Sequence, residues 1–168
     1  MAAPPSAVVV DVGPDRYPEC LAVLRAGFAT VVDDYGITAE NTPSNPAFWG
    51  EDAVASVVGR GFSLFAVEDA AGIAGCAFAG PSRSRPGTWG LRHLAVLPGA
   101  RHRGYGEALV AEAARRARGD GAHTLAIGIV AENTALGAWY HRLGFTTVDR
   151  TRYDGLVFTV EHLELSLR

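Results

Sequence analysis

The chain has 168 residues and a formal net charge of −3 at pH 7, and its arginines are scattered. This length suits one domain (1–168), and the charge argues against a nucleic-acid or anionic-membrane partner. All 15 basic residues are arginine, which excludes Schiff-base chemistry at a lysine. Residues 1–6 lack the features of a signal peptide, and no apolar run could cross a bilayer, so a cytoplasmic location is expected.

Hydrophobic periodicity and turn residues predict eleven elements in the order β-α-α-β-β-β-α-β-α-β-β. Strands are predicted at 7–12, 62–68, 73–79, 89–97, 124–130, 146–153 and 156–167. Helices are predicted from 14 to a stop at Gly36, and at 46–58, 104–118 and 134–143. The apolar run at 124–130 is typical of a strand covered on both faces. This order indicates one α/β domain in which helices pack on a mixed sheet.

Two cysteines, Cys20 and Cys76, offer little functional chemistry. They have neither C-x-x-C spacing nor a neighbouring histidine cluster, and they lie in apolar segments. They are therefore predicted to be buried, reduced thiols, and no metal is expected.

The segment 101–106, Arg-His-Arg-Gly-Tyr-Gly, joins a predicted strand to a predicted helix. Amides at a helix N-terminus lack intrahelical partners and bind phosphate readily, and glycines let a ligand approach them. An ordinary exposed turn is the other interpretation of these glycines. A dinucleotide fold is excluded because Leu109 stands at the third glycine position, and a P-loop is excluded because it needs lysine.

The same segment resembles the R/Q-x-x-G-x-G/A motif of the GNAT superfamily of N-acetyltransferases. The preceding Leu-Ala-Val-x-Pro at 94–98 is similar to the fourth strand of that family. Downstream, Asn133, Tyr140 and the pair Gly144-Phe145 resemble a second signature of the family. The resemblance implies a single-domain α/β GNAT fold with about seven mostly antiparallel strands and about four helices. It also implies that the sheet splays between strands 4 and 5.

By this resemblance, the co-substrate is acetyl-CoA, whose pantetheine arm would lie between strands 4 and 5. Tyr140 would be the general acid that protonates the departing thiolate. The implied cofactor-binding residues are Leu94, Ala95, Val96, Arg101, His102, Arg103, Gly104, Tyr105, Gly106, Glu107 and Asn133. No metal is implied, and a homodimer is possible because dimers are common in this family.

The general base stays open among His93, Glu132 and water. Strand 4 contains no carboxylate, and strict alternation would place His93 on the face opposite Arg92, Leu94 and Val96. Acceptor recognition is expected from the first two helices, where an acidic, aromatic rim would suit a cationic amine; a solvated helix end is the other interpretation. That rim comprises Asp33, Asp34, Tyr35, Glu40, Trp49, Glu51 and Asp52.

The function expected from these features is transfer of an acetyl group from acetyl-CoA to the primary amine of a small molecule. The amine would attack the thioester directly in a ternary complex. A protein or peptide N-terminal acetyltransferase is one alternative. A CoA-binding regulator without turnover is the other, and the missing carboxylate on strand 4 is its support.

Overall fold

A seven-stranded sheet runs through the computed structural model, which describes residues 7–168. Its strands are β1 (Val8–Asp11), β2 (Ser63–Asp69), β3 (Gly72–Pro81), β4 (Thr88–Val96), β5 (Thr124–Val130), β6 (Thr146–Thr151) and β7 (Val160–Ser166). Their order in the sheet is β1-β2-β3-β4-β5-β7-β6. All neighbours are antiparallel except β4 and β5. The expected mixed sheet is therefore confirmed, whereas the interpretation of residues 1–6 lies outside the described range.

Four α-helices flank the sheet: α1 (Tyr17–Val32), α2 (Ala53–Gly59), α3 (Tyr105–Gly119) and α4 (Thr134–Arg142). The prediction of one helix at 46–58 is wrong. Asn45 accepts a hydrogen bond from the amide of Ala47 and caps a short 3-10 turn, Pro46–Phe48. Trp49 then adopts extended dihedral angles, which interrupt the helical path until α2 begins.

The helices form two layers that differ in extent. On one face, α3 and α4 cover an apolar cluster that includes Leu91, Leu125 and Leu163 from β4, β5 and β7. On the other face, α1 and α2 pack on strands β2, β3 and β4 through residues such as Phe78, and Val10 of β1 borders the same cluster. Within residues 7–168, no helix therefore packs on this second face of the sheet where it is formed by β5, β7 and β6.

β4 and β5 run parallel and separate after a short contact. Only three residue pairs join them: Thr88 with Thr124, Trp89 with Leu125, and Gly90 with Ala126. Beyond that point β4 pairs only with β3, and β5 only with β7. The predicted splay is confirmed, and we call the gap between the two strands the notch.

Burial along β5 alternates, so the prediction of a strand covered on both faces is wrong. Leu125, Ile127 and Ile129 are buried against the α3 and α4 layer, whereas Gly128 is exposed on the open face. The final hairpin also differs from prediction, because its strands end early and residues 152–159 form a long connection. Short, half-exposed strands leave this edge of the sheet open to solvent.

No helix in the part of the chain that the structure describes is both long enough and apolar enough to span a membrane.

Candidate active site

The N-terminus of α3 follows β4 and presents free backbone amides. The first bond of the helical ladder runs from the amide of Ala108 to the carbonyl of Gly104. The amides of Tyr105 and Gly106 therefore have no acceptor within the helix. Gly104 caps the helix at a φ of 82°, and His102 also has a positive φ of 64°. Glycine adopts a φ of 82° without strain, so the backbone geometry of the cap explains why residue 104 is a glycine.

Gly106 has a packing role that the sequence did not predict. A Cβ atom there would lie 3.1 Å from Cζ2 of Trp139, so the missing side chain makes room for the indole ring of α4. This packing contact explains Gly106 without a ligand, and the expectation that both glycines clear a path for a pyrophosphate stays a prediction. This close approach brings α3 and α4 together on one face of the sheet.

Two side chains of the 101–106 segment are tied to the scaffold. Arg101 donates hydrogen bonds to the carbonyl of Gly27 (3.1 Å) and to Oγ1 of Thr30 (3.0 Å), both in α1. Arg101 is therefore held against α1. Tyr105 donates its phenolic hydrogen to the carboxylate of Asp69 at 2.9 Å, and that bond raises the pKa of Tyr105. Both contacts fix the position of the loop relative to the sheet.

The edge of β4 beyond Gly90 faces the notch. The amide of Leu97 donates to the carbonyl of Ala74 in β3 at 2.8 Å. Peptide groups of successive residues point to opposite edges of a strand. The main-chain groups of Leu94 and Val96 therefore point toward the notch, while those of Ala95 point toward β3.

α4 places Asn133 and Tyr140 beside β5. The Oδ1 atom of Asn133 accepts a hydrogen bond from the amide of Leu136 and caps the helix, a role that we did not predict. The ring of Tyr140 packs edge-on against Trp139 and Phe145, with centroid distances of 4.8 and 5.3 Å.

Tyr140 is a buried phenol whose hydroxyl has no hydrogen-bond partner among residues 7–168; the residue is 2% exposed. Burial raises the pKa of Tyr140 well above its usual range, so the phenol keeps its proton. No fully buried polar side-chain atom in that range lacks a partner. The Tyr140 hydroxyl must consequently reach accessible space.

A cleft of about 800 Å³ lies on the other face of the sheet, over the notch. Its floor includes Gly90 and Ala126, the last pair that joins β4 to β5, and Gly128. Its titratable lining is mostly basic: Arg60, Arg83, Arg85, Arg92, His93, Asp149, His162 and Glu164. We call this region the basic cleft.

His93 lies in the basic cleft, on the same face as Arg92, and here the prediction from strand alternation is wrong. A bulge shifts the β3–β4 register between Cys76 and Phe78, and His93 has a positive φ of 53°. Arg92 then stacks on Phe62, and His93 packs against Phe78, all on the face toward α1 and α2. Leu94 remains on the opposite face, as predicted.

The environment of His93 disfavours its charged form. Burial, and secondarily the positive charges of Arg92 and Arg60, lower the pKa of His93 to about 4. The ring is neutral at pH 7 and lies 4.7 Å from the ring of Trp49, centroid to centroid. His93 can therefore accept a hydrogen bond but holds a proton poorly.

The other predicted base lies apart from the basic cleft. The carboxylate of Glu132 accepts a hydrogen bond from the amide of Thr159 at 2.9 Å, which lowers the pKa of Glu132. Glu132 does not line the basic cleft, and neither does any residue of the predicted acidic rim. Trp49, which the sequence left open between that rim and the core, is buried in the α1 and α2 core.

Sequence reasoning missed the cleft arginines and one buried carboxylate. Residues 81–87 contain two arginines between two predicted strands, and this was the one available signal for a basic site. Glu161 in β7 is buried, and its carboxylate accepts a hydrogen bond from Arg150 at 2.9 Å. A Cβ atom on Gly137 would come within 3.3 Å of that carboxylate, so α4 leaves room for it.

Comparison with known proteins identifies relatives of this arrangement. Residues 30–145 match the model of the acetyltransferase (GNAT) family. No curated protein sequence is significantly similar to the chain.

Solved structures share the fold along nearly the whole chain. The ribosomal-protein-S18-alanine N-acetyltransferase of Escherichia coli superposes with a TM-score of 0.75 at 19% identity, over 96% of this chain and 94% of that one. The PaiA N-acetyltransferase of Thermoplasma acidophilum, in complex with coenzyme A, gives 0.78 at 14% identity, over 96% and 99%. YncA of Salmonella typhimurium, with its cofactor acetyl-CoA, gives 0.69 at 19% identity, over 97% and 95%. Identities this low establish the fold alone.

Proposed function

We propose, because the chain belongs to the acetyltransferase (GNAT) family, that it moves an acetyl group from acetyl-CoA to the primary amine of a small molecule. The observation on which this rests is the notch, where two parallel strands part after three residue pairs. Unpaired main-chain edges of this kind accept an extended arm as an additional strand. The notch meets the basic cleft on one face, so donor and acceptor could meet there.

The residues at hand fit coenzyme A. The free amides of Tyr105 and Gly106 and the partial positive charge of the α3 N-terminus suit a pyrophosphate. His102, Arg103, Gly104 and Glu107 belong to the same loop and first turn and are proposed contacts. Leu94 and Val96 offer main-chain groups to the pantetheine arm, with Ala95 between them, and Asn133 borders its path. Arg101 is proposed to hold the loop through α1 rather than through a direct contact.

The bound donor supplies a thioester, whose C–S bond breaks as the amine nitrogen forms the new amide bond. A β4 amide directed at the carbonyl oxygen stabilises the negative charge that develops there. Tyr140 holds a proton at its hydroxyl and delivers it to the departing sulfur. Neither His93 nor Glu132 can hold the proton lost by the amine at neutral pH. We therefore assign that proton to water in the open cleft.

A small acceptor agrees with the size of the basic cleft. Its volume of about 800 Å³ falls within the range of roughly 300–1,000 Å³ that is typical of small-molecule sites. An N-terminal peptide substrate remains an outcome of the experiment below.

Two measurements test the proposal. Calorimetry should detect binding of coenzyme A, and thiol release from acetyl-CoA should depend on an added primary amine. The panel should include small amines and a short peptide with a free N-terminus. Failure to bind coenzyme A at millimolar concentration would refute the proposal, and turnover with the peptide alone would refute the small-molecule acceptor.

A further inference from the structure

Four arginines converge on the basic cleft from separate parts of the chain. Arg60 follows α2, Arg83 and Arg85 lie in the β3–β4 connection, and Arg92 lies in β4. Among residues 7–168, two carboxylates line the same space, those of Asp149 and Glu164. The cleft thus carries a net positive charge, although the whole chain has a net charge of −3. A cleft of one sign attracts ligands of the opposite sign.

Three of these arginines have no carboxylate partner among residues 7–168. Arg85 pairs with Glu164 at 2.6 Å, which uses one acid of the cleft. The guanidinium of Arg83 donates to the carbonyl of Arg60 at 3.0 Å. That of Arg92 lies 5.0 Å above the centre of the Phe62 ring. An arginine stacked on a ring keeps its donors available for an oxyanion.

The unpaired charges lie close together and next to the notch. The hydrogen bond from Arg83 brings its guanidinium beside Arg60. Arg60, Arg92 and His93 line the same cleft, and the positive charges of both arginines help to lower the pKa of His93. His93 lies in β4 only three residues after Gly90, where β4 and β5 part. A group bound by these arginines would therefore be a short distance from the reacting carbonyl.

The phosphates of the donor do not account for these arginines. The 101–106 loop follows the C-terminal end of β4, whereas Arg83 and Arg85 precede its N-terminal end. A strand of this length separates its two ends by roughly 25–30 Å. The two positive regions thus lie at opposite ends of one strand, and each needs its own anion.

We propose that the acceptor is an amine that carries an anionic group, a carboxylate or a phosphate, and that Arg60, Arg83 and Arg92 bind that group. This inference rests on the proposed acetyl transfer and names its substrate class. Bidentate, charge-assisted bonds would orient the acceptor with its amine toward the notch. A diamine would meet like charges instead, so the expectation of a cationic acceptor at an acidic rim is replaced.

Matched amines test the charge of the acceptor. The series 4-aminobutyrate, 4-aminobutyramide and 1,4-diaminobutane changes only the far group, and O-phosphoethanolamine with ethanolamine distinguishes phosphate from carboxylate. The anionic members should exceed their neutral partners about tenfold or more in kcat/KM, as expected for charged hydrogen bonds. Added salt should raise KM for the anionic amines.

Arginine variants locate the effect. Arg92→Gln and Arg83→Gln should each lower kcat/KM about 10- to 100-fold for the anionic amine and leave the neutral amide and KM for acetyl-CoA unchanged. Arg83 is in an exposed loop, so its variant should fold even if that of Arg92 does not. Arg115→Gln is the matched control. Arg115 lies on α3 and is 69% exposed, so its replacement removes the same charge far from the cleft.

The outcomes separate the two proposals. If no amine in the panel is acetylated, the proposed function itself fails. If amines are acetylated but the diamine or the neutral amide is preferred, only the anionic acceptor is refuted. An equal loss for anionic and neutral amines in both cleft variants would also refute it, as would a raised KM for acetyl-CoA alone.

Discussion

Replacing Tyr140 with phenylalanine removes one hydroxyl group and leaves the packing of the ring in place. The ring contacts with Trp139 and Phe145 do not involve the oxygen, and that oxygen has no hydrogen-bond partner among residues 7–168. Because no bond is lost, the free energy of unfolding should change by about 0.5 kcal/mol or less.

The catalytic effect of Tyr140→Phe should be far larger. A positioned proton donor contributes about 10²- to 10⁴-fold, which corresponds to roughly 3–5 kcal/mol of barrier. The binding of acetyl-CoA should not change, since the phenol acts only on the departing sulfur. Burial raises the pKa of Tyr140 and keeps the phenol protonated, so the wild-type rate should not fall through ionisation of Tyr140 up to about pH 10.

Single-turnover thiol release at saturating acetyl-CoA isolates the chemical step, and chemical denaturation measures stability in the same samples. Tyr17→Phe, in α1, is the control for loss of a phenolic hydroxyl away from the notch. An unchanged single-turnover rate in Tyr140→Phe would refute the assignment of the acid. A loss of activity that tracks a loss of stability would point to packing instead.

Three further predictions concern stability and binding. Gly27→Ala should lower the free energy of unfolding by about 1–3 kcal/mol, because its Cβ would lie 2.9 Å from the Cβ of Ala95. The control Gly59→Ala, whose Cβ meets nothing within 4 Å, should be neutral or stabilising. Equal urea midpoints for the two variants would contradict this prediction. Gly104→Ala should lower the free energy of unfolding by about 1–2 kcal/mol, because residue 104 has a positive φ. Calorimetry should also show weaker binding of coenzyme A to this variant. An unchanged affinity would refute a role of this loop geometry in binding. His93, whose pKa is about 4 in the fold and about 6.5 unfolded, is protonated first in the unfolded chain. Acidification from pH 7 to 5 should therefore lower the free energy of unfolding by about 2 kcal/mol more in the wild type than in His93→Gln, and parallel pH profiles would refute the burial of this ring.

Much of the fold could be predicted because its signals are local. The spacing of apolar residues in α3 and the caps around it lie within about twenty residues, and each is a property of the adjacent backbone. The glycine at 104 was predictable as a loop residue for the same reason. The 3-10 turn at Pro46–Phe48 was missed because Asn45, Pro46 and Gly50 give competing signals within a few residues.

Faces and neighbours could not be predicted in the same way. One inserted residue in β4 placed His93 on the face of Arg92, and periodicity of two carries no warning of such a bulge. The packing role of Gly106 was missed because its contact, Trp139, lies 33 positions later in the chain. The anchoring of Arg101 was likewise missed because its acceptors belong to α1, about 70 positions earlier in the chain.

The amino-acid sequence by itself determined the order of helices and strands, the family resemblance and the loop at the start of α3, since these depend on short-range dihedral preferences and on the alternation of apolar residues. Only the tertiary structure decided that the net charge of the basic cleft is positive. Arg60, Arg83 and Arg92 are dispersed along the chain, and the return of β3 and β4 beside α2 brings their charges together. Electrostatic potential depends on distances in space, which a linear order of residues does not contain.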